Sequence, residues 1–312
     1  MPCYNVEKYV AEAIESILNQ TFADFELIIL DDCSTDKTAE IVKKYSDERI
    51  IYHKSEQNLG LVDTLNVGLK LAKGEFIARM DGDDISLPTR LEKQVRFLDE
   101  NPDIILCSVG MELFGMENTV WIRENNPEDV KITMMLYSPI LHASSVFRKK
   151  VFLNNNLIYR TEAFPAEDYD LWSRAVFFGK MVNIPEVLYK YRIHGIQVTK
   201  INPQKEKKTR QVRQNYIERT LPALNKKDIE FFVNKIASDK LSGKDEIFKA
   251  KTVILHFIEA NKNSMFFNQN RLEFRLKRYY QNRVFEFIKT NKTLRFKLLK
   301  ELRLKQILKL FL

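Results

Sequence analysis

Cysteine is scarce in this sequence: three residues, Cys3, Cys33 and Cys107, odd in number and widely spaced. That excludes a disulfide framework and the paired spacing of a structural zinc site, and it fits a reducing compartment. Glycine and proline are sparse too, nine of each in 312 residues, which excludes collagenous and low-complexity architectures. Apolar runs stop after a few residues, as at Leu27–Leu30, whereas a bilayer crossing needs about 20. No charged-then-apolar leader opens the chain. Pro2-Cys3-Tyr4-Asn5 is polar and turn-like, which predicts a protein that remains in the cytoplasm.

What is present is the composition of a folded globular chain, 45% hydrophobic and 29% charged, at a length that suits one large domain or two ordinary ones. The formal net charge of +8 is unevenly divided. From Ile201 to Leu312 there are 27 Lys and Arg against 11 Asp and Glu, a net +16, while the first 200 residues hold 23 against 31, a net −8. Parts of opposite sign meet different partners.

The first 200 residues alternate between helical and strand patterns. Val6, Val10, Ala13, Ile14, Ile17 and Leu18 keep a helical period, and Glu26–Leu30 follows as a short apolar strand. Asp36 and Thr38 cap a second helix ahead of a strand at Arg49–His53. Leu61, Leu65, Leu69 and Ala72 form a third helical stripe, closed at Gly74 before a strand at Glu75–Met80. Pro88 opens a fourth helix that stops at Asn101-Pro102, and Ile104–Val109 is the next strand. A helix near Asp129–Leu136, a strand near Ser144–Phe147, a helix over Asp168–Phe178 and an alternating strand at Val187–Arg192 complete the series. This order predicts an α/β fold with a doubly wound, mostly parallel sheet over residues 1–200. Beyond Ile201 only helical spacing remains, predicting a basic α-helical extension over 201–312.

In such a sheet a ligand lies beyond the carboxyl ends of the strands. Carboxylates stand there: Asp31 and Asp32 after one strand, Asp81, Asp83 and Asp84 after another. Turn and cap chemistry accounts for Asp31 and Asp32 on their own, because short acidic side chains bond nearby backbone N–H groups. Three carboxylates within Asp81-Gly82-Asp83-Asp84 repel one another, and a hard divalent cation, Mn²⁺ or Mg²⁺, relieves that repulsion. Such an ion usually completes its shell with water and substrate phosphates, which implies a diphosphate ligand.

With these motifs in order, the sequence resembles glycosyltransferase family 2, the inverting nucleotide-sugar transferases of GT-A fold, from Met1 to about Thr199. Pro2-Cys3-Tyr4-Asn5 resembles the family's nucleotide-binding turn. Gln20-Thr21-Phe22 with Glu26-Leu27-Ile28, Asp31-Asp32-Cys33-Ser34, Asn58-Leu59-Gly60 and Asn66-Val67-Gly68 are similar to its following segments. Asp81-Gly82-Asp83 matches its Asp-x-Asp metal motif, with Pro88-Thr89-Arg90 after it.

The resemblance implies a donor, UDP-linked, held by Pro2, Tyr4, Asn5, Asp32, Asn58, Asp81 and Arg90. Asp32 would receive the imide N–H of a uracil or thymine, and Asp81 would contact ribose or sugar. Asp83 would ligate the metal, with Asp81 and His194 as further candidates. Glu167-Asp168 looks like the acidic pair that opens a helix, with Asp168 as catalytic base and Glu167 and His142 on the acceptor side. The helix N-terminus is expected to lower the Asp168 pKa and keep it ionised. Ordinary structural roles stand beside these: a first-turn carboxylate for Asp168, hydrogen-bonded histidines at His142 and His194, and pairing of Arg79 with Asp81 or Asp84. The family's usual hydrophobic strand before the Pro-x-Tyr-Asn turn is absent, so either the natural start lies upstream or the chain is truncated. A sheet without it exposes its edges beside the nucleotide turn.

The expected activity is inverting transfer of a sugar to a glycan or lipid-linked glycan in surface polysaccharide synthesis. The alternatives are an inactive nucleotide-sugar-binding scaffold and a nucleotidyltransferase, against which Tyr4–Lys8 lacks a glycine-rich loop. Residues 262–312 carry 14 Lys and Arg against 3 Glu, interleaved with Phe, Tyr and Leu. Beside the reading as solvated helix faces, this composition suits peripheral association with the anionic inner face of the cell membrane better than nucleic acid. Leu294, Leu298, Leu299 and Leu302 lie on one side and Leu304, Ile307, Leu308 and Phe311 on nearly the other, so the apolar stripe shifts midway.

Overall fold

The computed structural model describes residues 1–195 and 202–290. They form two compact units, Met1–Val130 with Ser138–Thr209, and Lys131–Tyr137 with the described residues from Arg210 onward. The expected tail stripes from Leu294 to Phe311 lie outside the described residues.

The first unit runs β1 (Pro2–Cys3), α1 (Val10–Leu18), β2 (Leu27–Asp31), α2 (Thr38–Val42), β3 (Ile50–Lys54), α3 (Leu61–Leu71), β4 (Phe76–Ala78), β5 (Ile85–Ser86), α4 (Arg90–Glu100), β6 (Ile104–Gly115) and β7 (Thr119–Trp121). It continues with α5 (Pro127–Thr133), whose last three residues belong to the second unit, and then β8 (Val146–Arg148), α6 (Lys149–Asn154), α7 (Glu167–Ala175) and β9 (Lys180–Ile193). The helical periods emerge as burial: Val10, Ala13, Ile14 and Ile17 are the buried side of α1. All five residues of β2 are buried, as expected of a strand covered on both faces.

Strands β1, β2 and β3 pair in parallel in that order. The other sheet has the order β4-β8-β6-β9-β5, with β7 added to β6. There β6 and β9 are parallel, while β4 with β8, β6 with β8, β6 with β7 and β5 with β9 are antiparallel. Antiparallel pairing therefore enters beside the expected parallel pairs; β7 has this direction because it turns straight back from β6 as a hairpin. A cavity of about 760 Å³ is lined by Leu27, Ile28 and Leu30 together with Phe76, Ile77 and Ala78, and by charged residues such as Glu26, Lys73 and Arg79. Met1 lies at this cavity, its ammonium donating to the Ile28 carbonyl at 2.8 Å.

The second unit is helical: Lys205–Thr220 leads in from the first unit, followed by Lys226–Phe231, a π-helical turn Phe232–Ile236, Lys244–Ser264 and Gln269–Thr290. Phe232 stacks on Phe257 with centroids 4.3 Å apart. Asn261 closes the turn between the last two helices, donating to the Phe267 carbonyl and accepting from its N–H at 2.9 and 3.0 Å. Residues 131–137 belong here although they precede β8 in sequence: Tyr216 donates to the Lys131 carbonyl at 3.0 Å and Arg275 to Thr133 Oγ1 at 2.6 Å. Among the described residues no helix is long and apolar enough to cross a membrane.

Candidate functional site

Just beyond β4, the chain turns through Asp81-Gly82-Asp83-Asp84, and carboxylate oxygens of the three aspartates lie within 4.8 Å of one another. Glycine is needed in the middle: a Cβ at Gly82 would sit 2.7 Å from Cys3 Sγ and 3.3 Å from the Pro2 carbonyl. The end of β9 holds this turn from the other side. Arg192 donates through its N–H to Asp84 Oδ1 and through Nε to the Asp83 carbonyl, both at 2.8 Å. Tyr189 donates to Asp84 Oδ2 at 2.9 Å. Both oxygens of the buried Asp84 are thus engaged, and its role is to fix the turn. Asp81 pairs with the buried Arg79, and Asp83 Oδ2 lies 2.9 Å from His194 Nε2. The His194 ring stacks on Tyr9.

Burial and the neighbouring Asp81 raise the Asp83 pKa, against the pull of His194. The same two causes, with Asp83, raise Asp84 further. Crowded carboxylates of this kind favour a cation over protons wherever a cation is supplied. Oxygen donors of Asp81 and Asp83, with a nitrogen of His194 beside them, fit Mn²⁺ or Mg²⁺.

The second acidic pair opens α7, where Glu167, Asp168 and Asp170 occupy the first turn. Glu167 is buried and its Oε2 has no hydrogen-bond partner. Half-buried Asp168 accepts from Ser138 Oγ at 3.4 Å. Desolvation outweighs the helix N-terminus here and corrects the expectation of a lowered pKa. Asp168 is raised by burial, despite a backbone hydrogen bond and the Arg79 charge, and Glu167 is pushed up to about 7 by burial and by Asp168. Arg79 connects the two clusters, since its charge acts on Asp81, Glu167 and Asp168 alike. Burial would lower the Arg79 pKa, but Asp81 more than offsets this and raises it, keeping the guanidinium charged. His142 bonds Tyr159 Oη at 2.9 Å and packs edge-on to Trp172. Burial, then Arg79, push its pKa well down, so the imidazole is neutral.

Around the nucleotide-turn motif, Asn5, with φ 53°, donates through its N–H to Ser34 Oγ at 3.0 Å and accepts from Thr35 N–H through Oδ1 at 2.9 Å. Val6 and Glu7 add bonds to Thr38 and Asp36. Pro2 is buried and Tyr4 is 49% exposed. Asp31 accepts from Ser34 N–H at 2.8 Å and from Tyr52 Oη at 2.6 Å. Asp32 accepts from Leu59 and Gly60 N–H at 2.7 and 2.9 Å, while Asn58 donates to the Asp32 carbonyl at 3.3 Å. The carboxylate of Asp32 therefore orders the 58–60 loop.

Arg90 requires a correction. It is fully buried and donates to Gln94, Ser86 and the Arg79 carbonyl, with Tyr189 beneath its guanidinium. It braces the end of β4 from below and has no exposed donor for a diphosphate. Sequence spacing missed Arg192, Tyr189 and Tyr159; the alternation of β9 was the signal for the first two, since it sets Tyr189 and Arg192 at a strand end. In sequence Gln20 stands only as part of a motif. It accepts from Leu91 N–H at 3.0 Å and donates to the Leu87 carbonyl at 2.8 Å, locking α1 to the start of α4.

A family model described as glycosyl transferase family 2 matches residues 1–166. The O-antigen biosynthesis glycosyltransferase WbnJ of Escherichia coli is 37% identical over 207 residues, which is 62% of this chain and 78% of that protein. Among solved structures, S. aureus TarS in complex with UDP-GlcNAc superposes with a TM-score of 0.62 at 21% identity, covering 83% of this chain and 79% of that one. The mannosyltransferase PcManGT of Pyrobaculum calidifontis, in complex with GDP-Man and Mn²⁺, gives a TM-score of 0.56 at 13% identity over 93% and 86%.

Proposed function

The chain belongs to glycosyl transferase family 2 and has the GT-A fold with a helical C-terminal unit, and from that premise we propose that it transfers a sugar, with inversion, from a UDP-sugar to a glycan or lipid-linked glycan of a surface polysaccharide. The observation that carries this reading is the acidic turn after β4, coupled through Arg79 to a second carboxylate pair at the N-terminus of α7. TarS supports UDP as the nucleotide, PcManGT supports a divalent metal, and WbnJ supports polysaccharide synthesis.

The proposed division of labour follows the chemistry of each group. Asp83, with Asp81 and His194, would hold Mn²⁺ or Mg²⁺, which supplies Lewis-acid stabilisation of the leaving diphosphate. Pro2, Tyr4, Asn5, Asp32 and Asn58 would orient the nucleotide. Asp168 takes the proton of the acceptor hydroxyl; that oxygen bonds the anomeric carbon as the bond to phosphate breaks on the opposite face, and the nucleoside diphosphate leaves with the electron pair. Glu167, its pKa pushed up to about 7 by burial and by Asp168, and His142, kept neutral by burial, shape the acceptor side. The basic helical unit would rest against the anionic cytoplasmic face of a membrane, where a lipid-linked acceptor lies.

A panel of nucleotide sugars screened for Mn²⁺-dependent thermal stabilisation, followed by mass spectrometry of products with candidate acceptors, tests the reading. Stabilisation by UDP-sugars, lost in Asp83→Ala, is expected. Stabilisation with neither hydrolysis nor transfer would instead identify a scaffold, and no stabilisation by any member would refute the donor.

A further inference from the structure

The helix Gln269–Thr290 buries Leu272, Leu276, Tyr280, Val284 and Phe287 at three- and four-residue spacing. Its opposite face carries the exposed residues Arg271, Phe274, Arg278, Phe285 and Lys289. Phe274 is 61% and Phe285 59% exposed. Set eleven residues apart, the two rings fall on the same side of the helix, about 16 Å from each other along its axis at about 1.5 Å per residue. Of the helix's acidic residues, Glu273 pairs with Lys277 at 2.7 Å on a different side, and the exposed Glu286 borders the stripe, three residues before Lys289. The result is a face of three cations and two exposed rings with a single acid at its border.

Full burial of a phenylalanine gives about 1.5–3 kcal/mol, and each of these rings, a little over half exposed, forgoes about that fraction of it. The main apolar side of this helix is occupied by the protein itself, but a basic face with exposed rings suits a membrane interface, where cations meet lipid phosphates and aromatic residues reach the headgroup–acyl boundary. We infer that this face docks on an anionic bilayer, with Phe274 and Phe285 entering the headgroup–acyl boundary and Arg271, Arg278 and Lys289 at the phosphates. The net +16 from residue 201 onward complements such a surface. Single-stranded nucleic acid fits less well, because rings three helical turns apart offer successive bases no continuous stacking platform. The inference rests on the proposed membrane-side acceptor for its purpose, not on the donor-site assignments.

Sedimentation of the full chain with phosphatidylcholine vesicles, with and without phosphatidylglycerol, tests it. Binding is expected only with phosphatidylglycerol and should weaken as salt rises. Joint Phe274→Ser and Phe285→Ser should weaken it at least about tenfold even at low salt, as should joint Arg271→Gln, Arg278→Gln and Lys289→Gln. Circular dichroism and Mn²⁺-dependent UDP stabilisation of both variants should stay unchanged, which separates a failure here from a failure of the fold or of the donor reading. The inference is overturned if the chain does not sediment with anionic vesicles, if both variants bind as the parent does, or if they lose only self-association or nucleic-acid binding.

Discussion

A carboxylate in the first turn of a helix is pulled two ways, stabilised by the helix N-terminus and destabilised by loss of water. At Asp168 and Glu167 the second effect wins. Asp168 bonds one serine hydroxyl and the Tyr169 N–H, and Glu167 has an oxygen with no partner at all. Asp168→Asn keeps shape and polarity but removes the proton acceptor, so turnover should fall by about 10² to 10⁴ while donor binding, read by nucleotide-dependent thermal shift, persists. Unchanged turnover would remove Asp168 from the chemistry. Glu167 makes a prediction about stability. Its folded-state pKa stands at about 7 against an ordinary 4.5, so the folded state binds the proton more tightly than the unfolded one. The stability this gives is fully present below pH 4.5, falls by about 1.4 kcal/mol per pH unit up to about 7, and does not return above it. Glu167→Gln imitates the neutral acid. In metal-free buffer its melting temperature should match the parent near pH 4.5 and exceed it by several degrees at pH 8; curves that run parallel from pH 4 to 8 would contradict the assignment.

At the scale of elements, the acidic turn depends on how closely β1 approaches it. Alanine at Gly82 puts a methyl group 2.7 Å from Cys3 Sγ and 3.4 Å from Val6 Cγ2, and Cys3 is buried, so its sulfur has little room to yield. Overpacking of this sort costs about 1–3 kcal/mol. Gly82→Ala should lower the melting temperature and weaken Mn²⁺-dependent nucleotide binding together, and Cys3→Ala in the same chain should restore part of both, a coupling that a double-mutant cycle measures. The motif Asp81-Gly82-Asp83 was legible in sequence because like charges so close in the chain need a reason. Strand and helix positions were legible because apolar spacing persists whatever the topology, and β2 and α1 fall within a few residues of their expected places. Pairing direction was not: nothing in Ser144–Phe147 distinguishes a strand that runs against β6 from one that runs with it. Arg90 was misassigned because an arginine after a proline at a helix start looks like a phosphate ligand until its three hydrogen bonds are seen to be internal. Arg192, about 110 residues from the turn it braces, could not be linked to Asp83 and Asp84 without the fold.

At the scale of the whole molecule, composition suggested a cut near residue 200, where strands end and basic charge begins. The units divide close by, between Thr209 and Arg210, but the helical unit also includes Lys131–Tyr137 from the middle of the sequence. Within that segment Ile132, Thr133, Met134 and Met135 are fully buried, and Thr133 and the Lys131 carbonyl bond Arg275 and Tyr216. A chain ended after Thr209 keeps the segment and loses its surroundings. Returning one isoleucine and two methionines to water removes about 1.5–3 kcal/mol each, which together is a large share of the 5–15 kcal/mol that separates a typical folded domain from its unfolded chain. The truncated chain should therefore be insoluble, or soluble with strong binding of a hydrophobic dye and a melting temperature lowered by more than about 10 °C. Replacing Ile132, Met134 and Met135 by serine or lysine in the truncated chain should recover solubility, while the same changes in the full chain should destabilise it. A truncated chain that melts like the parent without those replacements would mean that residues 131–137 do not need the helical unit, and that the boundary read from composition is the physical one after all.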